Sequence, residues 1–183
     1  EGQPRAGIVT RQRFQYTTLG DVKIFHDDGD IADPGDDLEA TIAYWSAASS
    51  LVDPAYVDDA ATKLYSVSRP KTVDVRDGAG TLLRARSADY DDATGNLTIF
   101  DADIGDGRRA ETKLHWNLNG TLDWIEGPPN HDGDRYRTSY GYDPIAQTYV
   151  TSVTDSHGYV STAEYDPRFC EAISTTDVNG NVT

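Results

Sequence analysis

Apolar and polar residues alternate in short segments along most of the chain, and turn-forming residues separate these segments. The segments combine β-branched and aromatic residues at a period of two, which is typical of half-buried strands. The pattern predicts an all-β fold of tandem antiparallel β-hairpins that form a strip of sheet. The predicted strands are residues 13–17, 21–25, 41–45, 63–68, 71–76, 139–142, 148–154, 159–165 and 172–176.

Asp or Asn followed three residues later by Gly marks the turns between predicted strands. The side chain of the first residue accepts hydrogen bonds from its own turn, and the Gly adopts the positive φ that such turns require. The motif occurs at residues 155–158 and again, 22 residues later, at residues 177–180. Residues 69–70 (Arg-Pro) are expected to form a turn between two strands, and residues 46–62 are expected to form a loop.

A longer repeat combines each turn with an aromatic residue. Tyr142-Asp143 recurs 23 residues later as Tyr165-Asp166, and Trp116 lies 26 residues before Tyr142. Two strands of roughly seven to nine residues and two turns fill about 24 residues, so each unit is expected to be one hairpin. The motif positions expected to be structural are Tyr90, Asp91, Gly95, Trp116, Gly120, Tyr142, Asp143, Gly158, Tyr165, Asp166 and Gly180.

These motifs resemble the tyrosine-aspartate repeat, also called the YD or RHS repeat. The arrangement of Tyr16, Gly20 and Tyr44 around the acidic residues 27–30 is similar to the repeat region of bacterial insecticidal toxin-complex B components. The resemblance implies a curved strip of hairpins that forms part of the wall of a β-shell. The implied partners are the remainder of the parent shell and the effector enclosed in it. The implied location is secreted, or at the bacterial cell surface.

One feature of that family is not visible in this sequence. Its shell-closing core carries repeated Asp-Pro-x-Gly motifs, whereas Asp143-Pro144 and Asp166-Pro167 lack the following glycine. No self-cleavage is therefore assigned to this chain.

The repeat divides the chain into two parts of different regularity. Residues 1–69 are predicted to form irregular hairpins with acidic loops, and residues 70–183 to form repeat hairpins in units of 22 to 26 residues. The 183-residue chain contains no Met and begins at Glu1, so it is expected to be a piece of a longer protein.

The charge balance excludes several classes of partner. The chain has 31 acidic and 16 basic residues, which gives a formal net charge of -15. Phosphate binding requires a basic face, so nucleic acid is not an expected partner. An anionic membrane surface is disfavoured for the same reason, and no apolar run is long enough for a membrane-spanning helix.

The sequence contains no recognisable arrangement of catalytic residues, and the chain is not expected to be an enzyme. No pair among the four histidines (26, 115, 131 and 157) has metal-ligand spacing. No Gly-x-Ser-x-Gly elbow is present. Cys170 is the only cysteine and is interpreted as a small strand residue.

Calcium is the one cofactor that the sequence suggests. Asp101, Asp103 and Asp106 alternate along a Gly-rich bend, which resembles a calcium loop with one residue too many before the third aspartate. The acidic stretch 27–37 is a second candidate for a hard cation. The alternative for both is an acidic hairpin loop that is hydrated and binds no ion.

The aromatic residues leave two functions open. The 11 tyrosines, Trp45, Trp116 and Trp124 either form the packed face of a structural wall or an exposed surface that binds glycan or protein. Trp124 is followed closely by Gly127-Pro128-Pro129 and is expected to lie near a loop surface. A wall should bury the repeat tyrosines between hairpins, whereas a surface binding module should expose several aromatics around a groove.

Overall fold

The computed structural model describes residues 7–45 and 68–183. Within these two ranges, twelve strands form one antiparallel sheet in which every strand lies next to its neighbours in sequence, and the described sheet does not close on itself. The predicted all-β fold of tandem antiparallel hairpins is confirmed. The strands are β1 (Thr10–Tyr16), β2 (Val22–Asp30), β3 (Leu38–Trp45), β4 (Arg69–Asp77), β5 (Leu82–Tyr90), β6 (Leu97–Asp103), β7 (Arg109–Trp116), β8 (Leu122–Pro129), β9 (Arg135–Tyr142), β10 (Val150–Thr154), β11 (Val160–Asp166) and β12 (Glu171–Thr176).

The only helical element among the described residues is a single 3₁₀ turn, Pro34–Asp36. No helix in that part of the chain is long and apolar enough to cross a membrane. Two compact units are distinguished: one contains residues 1–95 and 101–109, and the other contains residues 96–100 and 110–183. The predicted division at residue 69 concerns repeat regularity rather than compactness and stays a prediction.

Very little of the described chain is buried. The buried apolar residues among those described are Trp45, Ala85 and Ala88, each 9% exposed. A sheet covered on one face by a second layer would bury a continuous row of large apolar side chains. The described strands are therefore a single layer, and cross-strand contacts within the layer take the place of a thick core.

In the first unit, apolar side chains follow one face across four strands. Phe14 pairs with Phe25, Phe25 with Ala40, and Ala40 with Val75. The rings of Phe14 and Phe25 lie 5.0 Å apart between centroids. Their neighbours in sequence, such as Arg13, point to the opposite face because successive side chains alternate along a strand.

In the second unit, Trp124 is the third residue of β8 and lies between two neighbouring strands, so the expectation that it lies near a loop surface is wrong. Its ring is parallel to that of His115 on β7, at 5.4 Å between centroids. On the other side, the Arg137 guanidinium on β9 lies 4.0 Å from the Trp124 ring centroid. Gly127 and the prolines that follow belong to β8 itself, which has an irregular register between Glu126 and Pro129.

The Asp-x-x-Gly turns are confirmed in detail. In the turn after β10, Asp155 Oδ1 accepts hydrogen bonds from the backbone N–H groups of His157 and Tyr159 at 2.8 and 2.9 Å. Gly158 N donates to Asp155 O at 3.1 Å, and Gly158 has a φ of 81°. The same side-chain cap and positive-φ glycine occur in the turns 77–80, 130–133 and 177–180.

Other local predictions differ from the structure. Arg69 and Pro70 begin β4 and do not form a turn: Pro70 pairs with Tyr44 beside a register shift in β3. A proline is tolerated there because the start of a strand can lack one ladder hydrogen bond. The predicted loop 46–62 and most of the predicted strand 63–68 lie outside the described residues. The strands β5 to β8 were not identified individually from the sequence.

Replacing the turn glycine tests this assignment. Gly158→Val should lower the free energy of unfolding by about 1 kcal/mol or more, because a β-branched residue is strained at positive φ. No atom lies within 4 Å of a Cβ added at this position, so the cost comes from the backbone alone. Gly158→Asn is the matched control, because Asn tolerates positive φ and should lose much less. Equal urea-unfolding midpoints for the Val and Asn variants would contradict the assignment.

Candidate functional site

The repeat aromatics fasten the open ends of the hairpins. Tyr142, the last residue of β9, donates from its hydroxyl to the carbonyl of Leu122, the first residue of β8, at 2.8 Å. In each case an aromatic at or near the end of a hairpin's second strand donates to a carbonyl at or next to the start of the first strand. We call this contact the aromatic clamp. The other clamps are Tyr44 to Val22 at 2.8 Å, Tyr90 to Pro70 at 2.9 Å, and Trp116 Nε1 to Leu97 at 2.7 Å.

The aspartate that follows the clamp tyrosine orders the loop to the next hairpin. Asp143 Oδ1 accepts hydrogen bonds from the backbone N–H groups of Thr148 and Tyr149, and Oδ2 accepts one from Ala146. The backbone N–H of Tyr149 makes the largest contribution to lowering the pKa of Asp143, to about 2, because these bonds favour the charged carboxylate. In the Tyr-Asp pair, the tyrosine thus forms the clamp and the aspartate bonds to backbone N–H groups of the following loop. We call this second contact the loop cap.

The earlier Tyr-Asp pair shows the same division of roles. Asp91 Oδ1 accepts from the backbone N–H groups of Ala93 and Thr94 and from the Thr94 hydroxyl. The loop ends at Gly95, which has a φ of 70° and whose carbonyl accepts a hydrogen bond from the Arg69 guanidinium. Gly120 and Gly180 likewise have positive φ in their turns.

The last Tyr-Asp pair departs from this pattern. Tyr165 stacks on Tyr149 at 5.2 Å between centroids and makes no clamp hydrogen bond among the described residues. Asp166 is bonded to Arg168, whose guanidinium lies 2.7 Å from its Oδ2. Cys170 is not a strand residue as interpreted from the sequence: it lies exposed at a φ of 60°, just before β12, and its Sγ is 2.7 Å from the Tyr149 hydroxyl.

The calcium candidates are not brought together. Asp101 and Asp103 lie in β6, where Asp103 Oδ1 accepts from the backbone N–H of Gly105. Asp106 lies in the following turn, with its carboxylate 3.8 Å from Arg108. Residues 7–45 and 68–183 contain no group of three His, Cys, Asp or Glu side chains placed to hold a metal ion. The calcium hypothesis stays a prediction without geometric support.

Carboxylates of the acidic stretch 27–37, the second calcium candidate, are also hydrogen-bonded to other groups of the protein. Asp28 is 5% exposed and accepts hydrogen bonds from Arg11 and Arg13 on β1. The Arg13 bond, followed by the Arg11 bond, lowers the pKa of Asp28 to about 2. Asp33 and Asp36 accept from backbone N–H groups of the same loop. Asp28 thus joins β2 to β1, while Asp33 and Asp36 order the β2–β3 connection.

The second unit contains a cavity of about 720 Å³ beside the Tyr142 clamp. Its floor includes Tyr140 and Tyr142, which are two residues apart and therefore on the same face of β9. Asp123 on β8 also lines it. The turn after β7 and the loop after β9 form its walls, and Asn119 joins them by donating to the Gln147 backbone and side-chain oxygens at 3.3 and 3.2 Å. We call this cavity the Tyr140 pocket.

Two features of these sites were missed from the sequence. The Tyr44 clamp was missed because it lies in residues 1–69, where the repeat is less regular. The signal in the sequence was the separation of 22 residues between Tyr44 and Val22, which is close to the length of one repeat unit. Asn130-x-x-Gly133 is a visible turn motif that was not recognised.

A scan against models of known protein families found no match for this chain, and a search of the curated proteins found none either.

Removing one hydroxyl tests the clamp. Tyr142→Phe should lower the free energy of unfolding by about 1 kcal/mol, because the hydrogen bond to Leu122 is lost while the ring is kept. Tyr140→Phe is the matched control, since the Tyr140 hydroxyl has no protein partner among the described residues. Chemical denaturation that gives the same loss for both variants would show that the clamp bond contributes nothing specific.

Acid should weaken the loop cap. The pKa of Asp143 is about 2 in the folded chain, below the value of about 3.9 for an unfolded aspartate. Its stabilisation is therefore present above the unfolded pKa and is lost as the pH falls through the folded pKa. The midpoint temperature of thermal unfolding of the unmodified chain should fall as the pH is lowered from about 5 to about 2, and that of the Asp143→Asn variant should fall less. Parallel pH curves for the two proteins would contradict this role.

Proposed function

We propose that this chain is a section of structural wall: a non-catalytic strip of hairpins that, in a larger secreted or surface protein of the RHS/YD type, helps to enclose an effector. The observation that carries the proposal is the single layer of clamped hairpins. A wall must cover a large area with few residues, and a single layer does this. Each clamp fastens a hairpin by contacts within that hairpin, so further hairpins can be added without a shared core.

The sheet edges support extension of the strip. Among the described strands, β1 and β12 each have one neighbour. The outer side of β12 already accepts more chain, because Thr175 and Thr183 exchange two backbone hydrogen bonds of 2.9 Å. An open edge presents unpaired N–H and C=O groups that favour the addition of another strand. In the proposed parent, these edges pair with neighbouring hairpins.

Exposed apolar side chains are also consistent with a wall. Leu83, Ile145, Phe169 and Ile173 are each more than half exposed in the described part of the chain. Large exposed apolar groups in an isolated strip indicate surfaces that other chain segments cover. The net charge of -15 supports the exclusion of nucleic acid and anionic membranes as partners of this section.

The natural full-length protein provides the decisive experiment. Cryo-electron microscopy should show a hollow particle in which this strip is a single-layered part of the wall, with β1 and β12 both paired. A particle without an internal space, or a strip packed face to face against a globular domain, would overturn the proposal.

Weakening the clamps should open the wall. In the full-length protein, Tyr90→Ala combined with Tyr142→Ala removes two clamps and both rings, and should increase the rate at which protease cuts the enclosed segment. Tyr159→Ala is the matched control, because Tyr159 is 59% exposed and takes part in no clamp. Unchanged protection in the double variant would contradict an enclosing role for this section.

A further inference from the structure

We propose that the Tyr140 pocket binds an organic cation, namely the ammonium or guanidinium group of a lysine or arginine side chain, or a free amine of the same chemistry. The inference goes beyond the wall proposal and does not depend on it. The pocket lies wholly within residues 117–147 of the second unit, so it requires no shell.

The charges that line the pocket have one sign. Among the described residues that line it, Asp123 and Asp143 are the only titratable groups other than tyrosines, and none is a lysine, arginine or histidine. Asp143 is held in its charged form by the backbone N–H groups that it accepts, and its pKa is about 2. Asp123 Oδ2 is 2.9 Å from His115 Nδ1, which leaves Oδ1 for a ligand. A cation entering the pocket therefore meets a negative potential at neutral pH.

The pocket floor combines this charge with aromatic rings. Ser139 on β9 pairs with Trp124 on β8. Tyr140 follows Ser139 in sequence, and Asp123 precedes Trp124. Continuing this antiparallel register places Asp123 opposite Tyr140, on the same face as Tyr142. The face of a tyrosine ring attracts cations, and a carboxylate beside it adds a hydrogen-bond acceptor.

The two tyrosine hydroxyls of the pocket floor have different roles. The Tyr142 hydroxyl is occupied by the clamp to Leu122. The Tyr140 hydroxyl, in contrast, has no protein partner among the described residues and can accept a hydrogen bond from an ammonium or guanidinium N–H. The Asn119 bridge to Gln147 fixes the walls, so the pocket is formed before a ligand arrives. Its volume of about 720 Å³ admits a long basic side chain.

Other ligand classes fit less well. An anion would meet two carboxylates and no basic group. A divalent metal ion needs several close oxygen ligands, and no group of three such side chains exists among the described residues. An apolar ligand would cover the Tyr140 hydroxyl and Asp123 Oδ1 without bonding to either.

Titration of the intact chain with defined probes tests the proposal. The probes are Gly-Lys-Gly and Gly-Arg-Gly peptides with blocked termini, spermidine, and the neutral peptide Gly-Gln-Gly, each followed by NMR at low salt. The Lys or Arg peptide should bind and the Gln peptide should not, and added salt should weaken binding. Preference for the peptides over spermidine would identify a protein side chain as the ligand, and the reverse would identify a free amine.

Pocket variants separate a specific site from general attraction to an acidic protein. Asp123→Asn and Tyr140→Leu should each weaken cation binding by about threefold to tenfold. Asp132→Asn is the matched control: it removes the same charge from an exposed turn outside the pocket and should leave binding unchanged. Equal weakening by Asp123→Asn and Asp132→Asn, equal binding of the Gln peptide, or no binding of any cationic probe would overturn the proposal. Circular dichroism of each variant confirms that the sheet is retained.

Discussion

The aromatic clamp is the interaction on which the rest of this sheet depends. An isolated hairpin is marginal in water, and the described strands have almost no covered core to support them. The clamp fastens the end of the hairpin opposite its turn, where the two strands would otherwise separate. It also places an aromatic ring over the neighbouring strand, so one residue contributes both packing and a hydrogen bond. Tyr90, for example, donates to the Pro70 carbonyl and also packs against Trp45, with 5.3 Å between the ring centroids and 35° between the ring planes.

The turns complement the clamps at the other ends of the hairpins. Asp77, Asn130, Asp155 and Asp177 each cap two backbone N–H groups with one side-chain oxygen. Such bonds contribute about 1 kcal/mol each, which is small for a protein with a thick core but large for a layer in which few side chains are buried. Because both devices act within a unit of fewer than 30 residues, stability is distributed along the strip, as it is in other repeat proteins.

The sequence was informative wherever the cause of a structure is local. The Asp-x-x-Gly turns and the alternating strands follow from backbone preferences within a few residues; the turns at 155–158 and 177–180 were predicted, and so were strands on both sides of β5 to β8. The clamp acceptors were not predicted, because the bond from Tyr142 to Leu122 joins residues 20 positions apart and depends on register. Trp124 was placed wrongly because prolines usually end strands, whereas here β8 continues through an irregular register to Pro129. The walls of the Tyr140 pocket come from two loops 28 residues apart, joined by Asn119 and Gln147, and no local pattern marks that pair.

The proposed cation site lies in a repeat unit whose other contacts stabilise the sheet. The clamp uses the hydroxyl of Tyr142 and leaves its ring beside the cavity, so the structural residue forms part of the floor. The binding groups, Asp123 and the hydroxyl of Tyr140, lie at positions that the clamp does not use. Gln147 belongs to the loop that Asp143 caps, and it reaches Asn119 only because that loop is ordered. The geometry that recurs in the clamped hairpins therefore fixes the backbone, while residues that neither clamp nor cap differ between units and set the chemistry of the surface. The two proposals are therefore compatible, because a strip of such units would form a wall and bind a ligand at one unit with the same fold.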